Sequence, residues 1–226
     1  MVLQAKSLLK KGSEPLTADE IAAINLYTQE TPLYTTLNTA LRKRDRKALM
    51  VWFPYLKILI TAVHKLEPIN TTVYRGVKLD LSQRYQKGDD VVWWSFSSAT
   101  ESVEVLKNPM FLGDNGQRTL FSVNIHSGVD IRRYSAIPED ERLIIPGTQL
   151  IVKGHLSLGA GLLMIQLEED PHAESLIAGF KGKSAGVKVA ESSSVSSVTT
   201  NVSGVTNAIA QMTTTSQQGV CMTRWI

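Results

Sequence analysis

Hydrophobic residues recur at the three- and four-residue spacing of α-helices through the first third of the chain. Thr17-Ala18-Asp19-Glu20 fits a capping box, in which the threonine and glutamate side chains bind free backbone amides at a helix start. Three apolar stripes follow at helical spacing. Their residues are Ile21 and Ile24; Tyr34, Leu37 and Leu41; and Trp52, Leu56, Leu59, Val63 and Leu66. The stripes predict a helical region over residues 17–66, with a solvated helix end or junction at the basic run of residues 42–47.

From residue 72 onward, hydrophobic and polar positions alternate with the period of β-strands. The strands predicted from this alternation are residues 72–78, 91–98, 118–126, 141–145, 148–153 and 162–168. Turn-rich stretches separate them, and one short helix is predicted over residues 101–107. Because the helices come first and the strands afterwards, the pattern favours the α+β fold class over an alternating α/β fold.

The composition changes again after Asp170. Residues 192–216 carry no charge and consist mostly of serine, threonine, valine, asparagine and glycine. Such a stretch buries too little apolar surface to order itself. We therefore predict an amino-terminal extension at 1–16, a compact domain at 17–170 and a flexible tail at 171–226.

The overall composition excludes several classes of protein. Hydrophobic residues make up 43% of the 226 residues, which is enough for a core. A net charge of +3 is too small to argue for a nucleic-acid partner. The single cysteine, Cys221, cannot form an internal disulfide or a cysteine-rich zinc site, and the histidines lack metal-ligand spacing, so no metal is expected.

No signal peptide or transmembrane segment is visible in the sequence. The most apolar window, residues 49–63, is interrupted by Pro54 and Lys57 and is too short to cross a bilayer. We therefore expect a soluble protein, or a soluble part of a longer one, that is cytoplasmic or secreted by another route.

Arg75 is the first candidate functional residue, because it interrupts an apolar strand pattern. An arginine inside a strand requires an anionic partner, either a carboxylate or a phosphate. The neighbouring Gly76 permits a ligand to approach the backbone closely. Taken alone, an internal salt bridge and an anion site fit Arg75 equally well.

The second candidate is the aromatic and hydroxyl-rich stretch of residues 93–100. As one strand, it would direct Trp94, Phe96 and Ser98 to one face. A simpler reading is that Thr100 or Ser102 caps the following helix.

The third candidate is Glu139-Asp140-Glu141, which precedes a hydrophobic strand. Three consecutive carboxylates repel one another unless a cation or a function compensates. Glu139 and Glu141 can project to one side of an extended segment, and two carboxylates with separate roles can cleave a glycosidic bond. A solvated acidic turn is the alternative.

In this order, Arg75, Ser98 within Phe-Ser-Ser-Ala-Thr, and Glu139-Asp140-Glu141 resemble the R-S-E class of mono-ADP-ribosyltransferases. This class includes arginine-specific vertebrate ectoenzymes and bacterial toxins. The resemblance covers residues 17–168 and includes a helical lead-in with Tyr34, Asn38, Leu41 and Arg42. It implies a mixed β-sandwich of the ADP-ribosyltransferase type and NAD as co-substrate. It also implies transfer of ADP-ribose to an arginine of a target protein.

The resemblance also implies a role for each matched residue. Arg75 would bind the phosphates of NAD, and the backbone of Gly76 would bind the nicotinamide amide. Ser98 would orient Arg75, the nicotinamide ribose or the catalytic glutamate. Glu141 would bind the ribose and stabilise the oxocarbenium ion, and Glu139 would specify arginine as the acceptor.

The chain departs from the family's Ser-Thr-Ser motif at one place. The middle hydroxyl of the Ser-Thr-Ser motif is missing, because Ala99 occupies that place. Phe111 and Tyr134 fall where the family places aromatic residues for nicotinamide stacking and target contact, although core packing explains both equally well. Two other functions stay open: an NAD glycohydrolase, and a catalytically weak binding module of the same fold.

Overall fold

A computed structural model of the protein describes residues 15–109, 111–137, 140–174 and 176–177. The predicted amino-terminal extension and the tail lie almost entirely outside these residues, so the predicted domain boundaries remain predictions.

The helical region contains four helices: α1 (Ala18–Tyr27), α2 (Pro32–Lys43), α3 (Arg46–Met50) and α4 (Phe53–Lys65). The predicted capping box begins α1, since Thr17 Oγ1 accepts from Glu20 N at 3.3 Å and Glu20 Oε2 accepts from Thr17 N at 2.8 Å. The basic run overlaps the end of α2 and the start of α3, and hydrophobic spacing did not predict α3 as a separate helix. Its start is capped by the Asp45 side chain, and all five of its residues are exposed or half-buried, so no apolar stripe marks it.

The strands confirm the predicted α+β class and form a seven-stranded mixed sheet, mostly antiparallel. They are β1 (Pro68–Val77), β2 (Asp90–Trp93), β3 (Ser97–Ala99), β4 (Arg118–Asp130), β5 (Arg142–Ile144), β6 (Thr148–Gly159) and β7 (Leu162–Glu169), with the one-turn helix α5 (Val103–Leu106) after β3. The order in the sheet is β2-β6-β7-β4-β5-β3, and β1 pairs with β4. Strands β1, β4 and β6 are longer than predicted: β1 begins at Pro68, β4 ends at Asp130 and β6 ends at Gly159, and the ends added to β1 and β6 are exposed or half-buried.

The prediction of one strand over residues 91–98 was wrong. β2 ends at Trp93 and pairs with β6, whereas β3 begins at Ser97 and pairs with β5. The neighbouring aromatic residues pack in different cores: Trp93 contacts Phe121, and Phe96 contacts Tyr27 of α1 with ring centroids 5.3 Å apart. The chain therefore leaves the strand between them, and the predicted shared face of Trp94, Phe96 and Ser98 does not exist.

Two hydrophobic cores meet at β5. Leu143 packs with the buried faces of the helices, among residues such as Ile24 and Leu59. Ile144 packs in the second core, inside the sheet, beside Val73 and Phe121. Because adjacent residues of a strand point to opposite faces, β5 is held from both sides, and the position of Glu141 directly before it is determined by both cores.

Candidate active site

The candidate site lies where β1 and β3 separate. Tyr74 and Thr100 exchange two backbone hydrogen bonds of 2.7 and 2.9 Å, and this is an isolated bridge between the two segments. Pairing in an antiparallel ladder alternates, so the backbone of Gly76 faces the same edge as that of Tyr74. Beyond the bridge, none of the described strands pairs with that edge of β1.

Arg75 is buried beside this edge. Its Nη1 donates to the carbonyl oxygen of Ser98 at 2.7 Å, and it forms no salt bridge with any carboxylate that the structure describes. Burial lowers the pKa of Arg75 from its usual range to about 10, assisted by the positive charge of Arg42 and opposed by Glu141. The guanidinium is thus charged at neutral pH and bonded to a neutral carbonyl, which leaves donors for an anion.

Ser98 joins Arg75 to Glu141. Its carbonyl accepts from Arg75, and its Oγ donates to Glu141 Oε1 at 2.5 Å. Ser98 is 2% exposed and Glu141 is fully buried. The structure therefore brings together three of the residues that the sequence singled out, from β1, β3 and the start of β5. Glu139 lies outside the described residues, so its placement remains a prediction.

Asp140 lies between two arginines, which supply the cations that the acidic run requires. Its Oδ1 is 2.9 Å from Arg142 Nη1 and 3.1 Å from Arg132 Nη1. Arg132 also binds Asp130, and Arg142 binds Glu101. The sequence indicated that the acidic run needs a cation but did not identify it. The carboxylates that these two arginines bind, Glu101, Asp130 and Asp140, come from separate segments of the chain.

Gly76 packs closely against another part of the protein. A Cβ at this position would lie 2.9 Å from the Cβ of Leu112. Phe111 is half-buried and packs on the small core that contains Leu112. Tyr134 is 5% exposed and belongs to the helical core, which favours core packing over target contact for this residue.

Two tyrosines near Arg75 were missed by the sequence analysis. Tyr27 and Tyr85 both act on its pKa, so they lie within electrostatic range of the guanidinium. Tyr27 accepts from Asn38 Nδ2 at 3.0 Å, and Tyr85 accepts from Trp93 Nε1 at 3.2 Å. No local motif marks either tyrosine, because folding alone brings α1 and the loop after β1 to the site.

Arg42 and Asn38, which belong to the helical lead-in, also lie at the site. Arg42 Nη1 is 3.5 Å from the hydroxyl of Ser95, and its charge acts on Arg75. The carbonyl oxygen of the Asn38 side chain is buried without a partner in the described part of the chain. The resemblance had included both residues without assigning them a role.

No three His, Cys, Asp or Glu side chains in the described ranges are grouped to hold a metal ion. No helix within those ranges has the length and apolar character needed to span a membrane.

Solved structures confirm the fold. The ADP-ribosyltransferase Vis of Vibrio splendidus, in complex with agmatine, superposes with a TM-score of 0.59 at 24% identity, over 76% of this chain and 83% of that one. The eukaryotic mono-ADP-ribosyltransferase ART2.2 superposes with a TM-score of 0.58 at 20% identity, over 77% and 78%. At these identities the similarity concerns the fold.

Curated relatives are similar in sequence. The erythroblast NAD(P)(+)–arginine ADP-ribosyltransferase of Gallus gallus is 29% identical over 163 residues, 67% of this chain and 51% of the relative. The T-cell ecto-ADP-ribosyltransferase 1 of Rattus norvegicus is 34% identical over 82 residues, 36% and 28% of the two chains. The chain thus spans about half, or less, of the length of these relatives.

The family comparison covers most of the described structure. The sequence profile described as NAD:arginine ADP-ribosyltransferase matches residues 4–175, a range that includes Arg75, Ser98 and Glu141. The chain belongs to the NAD:arginine ADP-ribosyltransferase family.

Proposed function

We propose that this protein transfers ADP-ribose from NAD to an arginine side chain of a target protein and releases nicotinamide. The observation that carries the proposal is the buried connection Arg75–Ser98–Glu141, with bonds of 2.7 and 2.5 Å. It connects a guanidinium that can bind phosphates to a carboxylate that can stabilise the positive charge developing on the ribose. Membership of the family supports the same reaction.

NAD would bind along the open edge of β1. The guanidinium of Arg75 has donors left for the diphosphate, since its hydrogen bond within the described chain uses only Nη1. The backbone of Gly76 faces the same edge and would bind the nicotinamide amide. A variant of the ART2.2 enzyme has been solved in complex with NAD, and its fold is similar to this one.

The first step would break the bond between the ribose and the nicotinamide nitrogen. Nicotinamide takes the electron pair and leaves as a neutral molecule, so the step needs no acid. The ribose becomes an oxocarbenium ion. The carboxylate of Glu141, held by Ser98, provides negative charge for that ion in a buried site, where electrostatic stabilisation is strong.

The second step would join a guanidinium nitrogen of the acceptor to the ribose carbon. Arginine is protonated in water and is a poor nucleophile. We assign to Glu139 the role of holding the guanidinium and accepting the proton that it loses. Agmatine, which carries a guanidinium group, is bound in the Vis structure. We infer that the partner is a protein with an exposed arginine.

An NAD glycohydrolase is the second candidate, in which water replaces the acceptor, and a catalytically weak binding module is the third. One assay separates the three: purified protein is incubated with NAD labelled in its adenine ring and an arginine-rich protein. Label on the arginine-rich protein supports the transferase. Nicotinamide release without such label indicates the hydrolase, and NAD binding without either indicates the binding module.

A further inference from the structure

Glu141 is flanked in sequence by two residues that bind each other. Asp140 Oδ1 and Arg142 Nη1 are 2.9 Å apart. Side chains two residues apart in an extended segment share one face, and the residue between them points to the other. The pair thus holds the chain from the face opposite to the one on which Glu141 meets Ser98.

The strand pairs of β5 end at Arg142, one residue short of Glu141. β5 has three residues; all three pair with β3, and two of them, Arg142 and Leu143, also pair with β4. A shift of one residue in such a short strand would turn Glu141 away from Ser98. The ion pairs of Asp140 and Arg142 oppose this shift, because they bind to segments outside β5.

These outside partners belong to the site itself. Arg142 Nε is 2.8 Å from Glu101 Oε1, and Asp140 Oδ2 accepts from Thr100 Oγ1 at 3.3 Å. Thr100 in turn forms the backbone bridge to Tyr74, which precedes Arg75. Arg142 is 4% exposed, whereas the carboxylates of Asp140 and Glu101 that it binds are partly exposed.

We propose that Asp140 and Arg142 are positioning residues that hold the Glu141 carboxylate against Ser98 and in line with the oxocarbenium ion. This inference rests on the proposed function. The pair acts through Glu141 and does not touch NAD. Its loss should therefore lower the rate of nicotinamide cleavage and leave NAD binding almost unchanged.

The test compares Arg142→Met with Lys107→Met, which removes a cation from an exposed ion pair with Glu104. We expect Arg142→Met to lower kcat for both NAD hydrolysis and transfer by about 10- to 100-fold, the size of effect that a misplaced catalytic group produces. KM for NAD should change less than about twofold, because Arg75 is untouched. Lys107→Met should keep the wild-type values, and Arg142→Lys should recover part of kcat because it retains the charge.

A purely structural role would lower the melting temperature without changing kcat per folded molecule. That result, or a rise in KM with an unchanged kcat, would overturn the proposal. If Arg142→Met does not fold, Asp140→Asn removes the same ion pair at a partly exposed position with little change in shape, and we expect the same loss of kcat from it.

A crystal structure of each variant provides a second arm that does not depend on activity. The 2.5 Å bond between Ser98 and Glu141 should be lost in Arg142→Met, or in Asp140→Asn, and retained in Lys107→Met. Retention of that bond in both variants of the pair overturns the positioning role. A wild-type protein that neither cleaves nor transfers NAD contradicts the proposed function instead, and the structural arm still decides the role of Arg142.

Discussion

Ser98 makes the two hydrogen bonds that connect the charged residues of the candidate site. Its carbonyl holds Arg75 and its hydroxyl holds Glu141, and all three residues are buried. A buried charge that loses its partner is costly, so substitutions here must preserve shape if they are to report on chemistry.

Glu141→Gln should reduce both transfer and NAD hydrolysis by at least about 100-fold, because it removes the negative charge that faces the oxocarbenium ion. The amide retains the shape of the carboxylate and can still accept from Ser98. We expect folding and NAD binding to stay near normal, as measured by melting temperature and calorimetry. Near-normal turnover in this variant would show that Glu141 is not the catalytic carboxylate.

Glu139→Gln should separate the two activities. If Glu139 acts only on the acceptor, its loss should abolish transfer to arginine and spare most of the slow hydrolysis of NAD by water. Both rates are measured on one purified preparation. Equal loss of the two would assign Glu139 to the NAD site, and no loss of either would contradict the arginine-acceptor role.

Arg75→Lys should weaken NAD binding in a manner that depends on pH. Burial brings the pKa of Arg75 down to about 10, so arginine stays charged at neutral pH. Lysine has an ordinary pKa of about 10.4, and the same burial would lower that pKa toward the neutral range. The lysine would then lose its positive charge as the pH rises. It also lacks the two-pronged contact with a diphosphate. We expect a raised KM for NAD that rises further between pH 6 and pH 8.5, whereas the wild-type KM stays flat. A variant KM equal to that of the wild type would argue against phosphate binding by Arg75.

At the scale of secondary-structure elements, β5 determines the geometry of the site. Its central residue, Leu143, is fully buried in the helical core, and the next residue, Ile144, is fully buried in the sheet core. Three residues cannot form a stable strand alone. Packing from both sides therefore holds β5 in place, and stability and activity should fall together when that packing is damaged.

Leu143→Ala should lower the free energy of unfolding by about 2–5 kcal/mol, as is usual when a large side chain is removed from a core. Urea denaturation measures the change. Leu156→Ala is the matched control, because Leu156 lies in β6 and is 54% exposed, so its replacement should have little effect. A cost below about 1 kcal/mol for Leu143→Ala would show that β5 does not depend on this contact.

At the scale of the whole molecule, the described structure contains both cores and the candidate site. The family match extends from residue 4 to residue 175 and thus ends near the last described residues. The serine- and threonine-rich segment beyond it has no apolar periodicity, and we predicted from its composition alone that it contributes little to the fold.

Removal of residues 191–226 should therefore lower the melting temperature by no more than about 2 °C and leave NAD turnover unchanged. Differential scanning calorimetry of the full chain and the shortened chain provides the comparison. A larger decrease would show that the tail packs on the domain and that the predicted boundary is misplaced.

Local patterns predicted the features that depend on neighbours in the chain. The capping box at Thr17 and Glu20, the three helical stripes and most strands follow from spacing, because one side of each element must face a core. The order of Arg75, Ser98 and Glu141 likewise indicated the family before any contact was known. The sequence by itself therefore determined the fold class and singled out Arg75, Ser98 and Glu141, which the fold brings together.

Only the tertiary structure decided which partners these residues have. Trp93 and Phe96 are three residues apart yet pack in different cores, which broke the predicted strand at 91–98. The sequence left a salt bridge open for Arg75, but its hydrogen-bond partner is the carbonyl of Ser98, and the cations of the acidic run are bound to Asp140. Such pairings join segments that are distant in the chain, so their geometry depends on how the two cores pack together and not on local spacing.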